Sequence, residues 1–125
     1  PCVFDRKYTW YCFDKLDVTA MKKAAALLVG EHDFKAFCSN KRTNKSTVRE
    51  IYDIDIYADT RELQITVYGN GFLYNMVRII VGTLIEVGKG ERRPEEMTAI
   101  LESRDRTKTG ATAAAQGLFL QEVEY

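Results

Sequence analysis

The run Gly71-Phe72-Leu73-Tyr74-Asn75-Met76-Val77-Arg78-Ile79-Ile80-Val81-Gly82, continued by Thr83-Leu84-Ile85-Glu86-Val87-Gly88, governs how this chain folds. Residues 72–87 are apolar on almost every side. The stretch is too long for one strand and reads as a buried helix. Asn75, Arg78, Thr83 and Glu86 interrupt it, so it is no membrane span. Gly88 and Gly90 are expected to end it. Immediately upstream, Gly69-Asn70-Gly71 closes a strand in which Leu63, Ile65 and Val67 alternate with Gln64, Thr66 and Tyr68. Its hairpin partner alternates Tyr52, Ile54 and Ile56 with Asp53 and Asp55. Ile51 breaks that phase, which predicts a bulge, and residues 58–61 connect the two strands.

Outward from this centre the pattern stays mixed. Residues 7–13 are aromatic and β-prone, an extended segment. Asp17 is placed to cap a helix whose apolar face is Val18, Met21, Ala25 and Leu28, and Gly30 is its stop. Phe34 and Phe37 pack a short turn against it. Residues 39–47 read as an exposed basic loop. Pro94 suits the first turn of a further helix, with Glu95 and Glu96 at its positive end and Met97, Ile100 and Leu101 buried. Residues 104–110 are polar and basic, and residues 117–125 read as a last strand. The order strand, helix, strand, strand, helix, helix, strand predicts an α+β fold, an antiparallel sheet with helices packed on one face. Without a repeat or linker, residues 1–125 form one domain.

Lysine plus arginine (18) balance aspartate plus glutamate (18), so any nucleic-acid footprint must be local. Cys2, Cys12 and Cys38 are odd in number and lack C-x-x-C spacing, which fits free thiols in a reducing cytosol rather than a disulfide framework or zinc site. No signal-peptide pattern is read at the start of this stretch, and the opening Pro1, without an initiator methionine, is expected to mark a fragment.

Arg78 is the anomaly. A guanidinium within an apolar helix costs several kcal/mol to strip of water unless it has a partner. Either it lies on the helix's solvent edge and snorkels, or it lines a cleft and pairs with a carboxylate or phosphate, which its flat fork suits. No carboxylate in the sequence names itself as that partner. Gly69-Asn70-Gly71 lacks the third glycine of a dinucleotide loop, Tyr74 standing there, and reads as a turn. His32, the only histidine, reads as a surface or capping residue. No nucleophile has a base at a telling spacing. Three basic clusters, Lys41/Arg42/Lys45, Arg92/Arg93 and Arg104/Arg106/Lys108, either meet phosphate or form a solvated surface.

Three segments together resemble the tRNA pseudouridine synthase A family: the run from Gly71 to Gly82 with Leu84 and Glu86-Val87-Gly88; Leu101-Glu102-Ser103-Arg104-Asp105-Arg106 with Gly110-Ala111-Thr112-Ala113; and Gly117-Leu118-Phe119-Leu120 with Val123 and Tyr125. Gly30-Glu31-His32-Asp33-Phe34-Lys35-Ala36-Phe37 and Thr47-Val48-Arg49-Glu50-Ile51 also fit, so the likeness covers nearly the whole chain. It implies a pseudouridine synthase-type fold, one RRM- or ferredoxin-like half of a two-domain enzyme. The family isomerises uridine to pseudouridine in the tRNA anticodon stem-loop, without cofactor or metal. An aspartate attacks the target nucleotide, the glycosidic bond breaks, and the base is rejoined through carbon. The resemblance gives Arg78 the role of that aspartate's partner and places Leu118 at the uridine pocket. It implies tRNA as partner; the residues expected to contact it are those of the three basic clusters, Lys41, Arg42, Lys45, Arg92, Arg93, Arg104, Arg106 and Lys108, unless these form a solvated surface. It further implies a homodimer, a cytoplasmic setting and no membrane.

The family's Gly-Arg-Thr-Asp motif does not occur in this sequence, nor does its Arg-Tyr-Arg-Tyr-like strand. The N-terminal catalytic-aspartate domain is therefore expected outside these residues, and the chain alone is expected to be inactive. Tyr8, Trp10 and Tyr11 suit either a dimer interface or core packing. Two rivals stand beside this reading: a non-enzymatic RRM-like RNA-binding module, which lacks the Lys/Arg-Gly-Phe-type motif here, and a pure dimerisation domain.

Overall fold

The computed structural model describes residues 3–10, 15–39, 46–113 and 118–119, with Trp10, Leu118 and Phe119 described by their backbone alone. In chain order the elements are β1 (Phe4–Trp10), α1 (Val18–Leu28), β2 (Gly30–Asp33), β3 (Val48–Ala58), β4 (Leu63–Gly69), α2 (Met76–Gly88), α3 (Glu96–Ser103) and β5 (Leu118–Phe119). Short 3-10 turns occupy Lys35–Phe37 and Arg106–Lys108. The strands form one sheet in the order β2-β3-β4-β1-β5, with every neighbouring pair antiparallel. The helices pack on one face, so the α+β architecture read from the sequence is the one observed.

Alternation along the strands sets which face is buried. Tyr8, Ile65 and Ile56 stand in one register row across β1, β4 and β3, and none is more than 5% exposed. Against that row lie Met21, Ala24, Ala25 and Leu28 of α1, Ile79, Ile80 and Leu84 of α2, and Met97 and Ile100 of α3. Each fully buried Leu, Ile or Met side chain among them contributes about 1.5–3 kcal/mol. Asp17 caps α1 as expected, its Oδ1 accepting from the Ala20 N–H at 3.0 Å. The bulge falls between Ile51 and Asp53. No helix among the described residues is long and apolar enough to cross a membrane.

Several boundaries differ from the sequence reading. Gly30 ends α1 by opening a strand: its φ of +111° turns the chain at once into β2, which pairs with the start of β3. Helix α2 begins at Met76, not Phe72. Asn75 has a φ of 61°, which a right-handed helix cannot contain, and Phe72 and Leu73 approach the core as irregular chain. Gly88 is the last residue of α2; Gly90, with a φ of +80°, makes the turn away. Pro94 precedes α3, whose N-terminus is tied by the Arg93 N–H donating to Glu96 Oε2 at 2.6 Å. Tyr8 belongs to the core, so of the two roles open to the aromatic segment it takes packing. Tyr11 and the side chain of Trp10 lie outside the described residues.

Candidate functional site

Arg78 lies in the first turn of α2, half-buried. Its Nε donates to the Ala113 carbonyl at 2.8 Å and its Nη1 to Asn75 Oδ1 at 3.2 Å. The Ala113 N–H returns a bond to the Arg78 carbonyl at 3.0 Å. These contacts fix the guanidinium plane, yet they engage only Nε and part of Nη1. Nη2 has no partner among the described residues, which leaves the Nη1–Nη2 edge able to take a carboxylate or phosphate in two parallel bonds. A snorkelling arginine on an open helix edge would not be pinned in this way.

The segment bearing Ala113, residues 104–113, lies directly on α2. A Cβ on Gly82 would overlap the Ala111 carbonyl, so glycine is what lets the segment approach the helix backbone. Thr83 Oγ1 accepts from the Gly110 N–H at 3.0 Å. Glu86 accepts from Arg92 Nε at 2.7 Å through one carboxylate oxygen and from the Ala111 N–H at 3.0 Å through the other. Burial pushes the Glu86 carboxyl up, but the bonds from Arg92 and Ala111 and the Arg92 and Lys89 charges outweigh it, so its pKa lies below the ordinary glutamate value.

Tyr8 joins the same neighbourhood from β1. Burial raises its phenol pKa, and the positive charge of Arg78 opposes that rise. Leu118 stands opposite Tyr8 in the β1–β5 pairing. The sheet thus brings the Leu118 backbone beside Tyr8, and the phenol of Tyr8 lies within reach of the Arg78 charge.

The basic residues divide by orientation. Arg92 points inward, bound to Glu86 and to the Lys108 carbonyl at 2.7 Å. Arg106 also points inward, donating to Thr109 Oγ1, the Gly110 carbonyl and Thr112 Oγ1. Arg93 and Lys108 are exposed. Arg104 has a side chain 63% exposed, and its Nε lies 3.1 Å from Asp33 Oδ2. Asp33 in turn accepts from Thr47 Oγ1 at 2.5 Å and from the Lys35 N–H at 3.1 Å. Arg104 therefore stands beside Asp33 and, through it, Thr47; Lys41, Arg42 and Lys45 lie outside the described residues.

Sequence reasoning missed Asn75 and Glu86. Glu86 breaks the same apolar run as Arg78 and invites the same question about a partner. Asn75 precedes Arg78 by one helical turn, a spacing that puts the two side chains on one face.

An antiparallel sheet backed by helices carries on α2 an arginine that Asn75 and Ala113 orient and whose Nη1–Nη2 edge suits an anionic partner. The sequence pattern of the family described as tRNA pseudouridine synthase matches residues 24–125. The chain belongs to that family. It is 51% identical over 123 residues to tRNA pseudouridine synthase A of Brevibacillus brevis, covering 98% of this chain and 50% of the relative. It is 48% identical over 120 residues to tRNA pseudouridine synthase A 2 of Clostridium tetani, covering 96% and 48%. With tRNA pseudouridine synthase A of Syntrophotalea carbinolica the identity is 49% over 119 residues, covering 95% and 47%. The chain spans about half the length of the curated relatives it matches.

Proposed function

We propose that this chain works as one half of a tRNA pseudouridine synthase, the C-terminal domain of a two-domain protein of about twice its length. Uridine in a tRNA anticodon stem-loop is the substrate, and the reaction is an isomerisation, so nothing is gained or lost overall. The nucleophilic aspartate comes from residues outside this sequence. Its carboxylate sits on the Nη1–Nη2 edge of Arg78, which keeps it ionised and aimed at the nucleotide. The glycosidic bond breaks, the base turns, and it is rejoined through carbon. The target base must first leave its stack, at about a few kcal/mol. Leu118 contributes an apolar wall to the uridine pocket. The outward-facing cations Arg93, Arg104 and Lys108, with Lys41, Arg42 and Lys45, meet the tRNA phosphates; Arg92 and Arg106 serve mainly to seat residues 104–113. The working form is a cytoplasmic homodimer.

The observation that carries this reading is the guanidinium of Arg78, held on one side and open on the other, in a chain of this family. Membership of the family is what sets this reading above a stand-alone RNA-binding module, in which the same edge would meet a phosphate. In the full-length protein, Arg78→Ala is expected to lower turnover by about 1,000-fold while tRNA affinity changes by less than about fivefold, as befits a partner of the reacting group. Turnover within a few fold of the wild type would remove Arg78 from the chemistry.

A further inference from the structure

Asn75 stands at the N-cap of α2, where an asparagine side chain ordinarily accepts a bond from the helix's own first N–H groups. It does not do so here. Its backbone is left-handed, φ 61° and ψ 9°, a conformation asparagine tolerates better than other residues with a side chain. Its carbonyl closes the first helical turn by accepting from the Ile79 N–H at 2.9 Å. The amide is thereby freed for two other contacts. Oδ1 accepts from Arg78 Nη1 at 3.2 Å, and Nδ2 donates to Ser39 Oγ at 3.1 Å. Arginine can only donate, so the amide's orientation is chemically fixed: oxygen toward Arg78, nitrogen toward Ser39. A second bond, from the Ser39 N–H to the Tyr74 carbonyl at 3.3 Å, fastens the same junction.

Three requirements meet at this position: a left-handed backbone, an acceptor on one side and a donor on the other. Glycine satisfies the first alone, and aspartate lacks the donor. We propose that Asn75 is a positioning residue for Arg78. It holds the guanidinium by Nη1, and is itself held by Ser39, the residue that leads into the basic segment with Lys41, Arg42 and Lys45. The inference rests on the reading of Arg78 given above.

The test uses the full-length protein and tRNA, with kcat, KM and thermal midpoint measured together. Asn75→Gly keeps the left-handed backbone accessible and removes both amide groups. It is expected to lower kcat by about 10- to 100-fold, with KM within about twofold, the size of a misaimed catalytic contact. Ser39→Ala is expected to lower kcat by roughly threefold in the wild-type background and to add nothing to Asn75→Gly, because both cut one chain of contacts. A purely structural role would lower the midpoint and leave kcat unchanged well below it. Wild-type kcat in Asn75→Gly, or a full additional loss from Ser39→Ala on top of it, overturns the proposal. Should Asn75→Gly fail to fold, Ser39→Ala decides: a fall in kcat supports the proposal and a wild-type kcat overturns it. Arg78→Ala, run alongside, separates the two readings. If it is inactive while Asn75→Gly is unimpaired, only the positioning role fails; if it is active, the proposed function fails as well.

Discussion

Helix α2 carries a charge near each end, Arg78 in its first turn and Glu86 in its last, and both reach residues 104–113. At Glu86 the account is closed. Each carboxylate oxygen has a partner, one the Arg92 guanidinium and the other the Ala111 N–H, and Arg92 also donates from Nη1 to the Lys108 carbonyl. At Arg78 it is open. Asn75 and Ala113 orient the fork, and Nη2 is left without a partner among the described residues. A half-buried charge with all its partners present holds structure together, whereas one that is oriented but incomplete awaits something else. The difference predicts that the two ends fail in different ways: the Glu86 end in stability, the Arg78 end in turnover.

The largest expected effect probes the open end. Arg78→Lys keeps the charge and loses the planar fork, and is expected to lower turnover by about 100-fold. Near-normal turnover would mean that the charge alone suffices, and would weaken the two-bond geometry.

The next effect probes the closed end. Glu86→Gln removes the ion pair while keeping an acceptor, and is expected to cost about 1–2 kcal/mol of stability near neutral pH. The folded pKa of Glu86 lies below its ordinary value of 4.5. Its contribution is therefore present above the ordinary value and is lost as pH falls through the lowered folded value. The gap in thermal midpoint between wild type and Glu86→Gln should be widest near neutrality and close in acid. A gap independent of pH would assign the loss to packing instead.

The smallest effect concerns the outward cations. Reversing both Arg93 and Lys108 to glutamate should weaken tRNA binding and flatten the slope of log affinity against log salt by roughly 1.5. An unchanged slope would return both to ordinary solvated surface.

Much of this was legible in the sequence, for identifiable reasons. Strand β4 announced itself by alternation, as did β3 at Ile54 and Ile56, and the bulge by a phase break at Ile51; across that bulge Ile51 is buried and Tyr52, read in phase with Ile54, is exposed. Arg78 stood out because a charge in an apolar run has few benign explanations. Strand β2 was not legible: Gly30-Glu31-His32-Asp33 has no apolar rhythm, and its place in the sheet rests on backbone pairing after a positive-φ turn. Sequence could not separate inward Arg92 and Arg106 from outward Arg93 and Lys108, because their partners are backbone carbonyls or side chains placed by the fold. The Ala113 carbonyl, which orients Arg78, leaves no trace in residue type at all. Asn75 was legible as a polar residue one turn before Arg78, but its left-handed backbone was not.

The most direct test sets the two ends of α2 side by side in the full-length protein, measuring turnover and thermal midpoint for Arg78→Ala and Glu86→Ala. The account predicts a crossed result. Arg78→Ala loses about 1,000-fold in turnover with a midpoint shift under about 4 °C, and Glu86→Ala loses roughly 4–8 °C with turnover within a few fold at temperatures where it stays folded. If Arg78→Ala instead lost stability as Glu86→Ala does, with turnover falling only in step with unfolding, Arg78 would be a structural tie and the open edge would have no role.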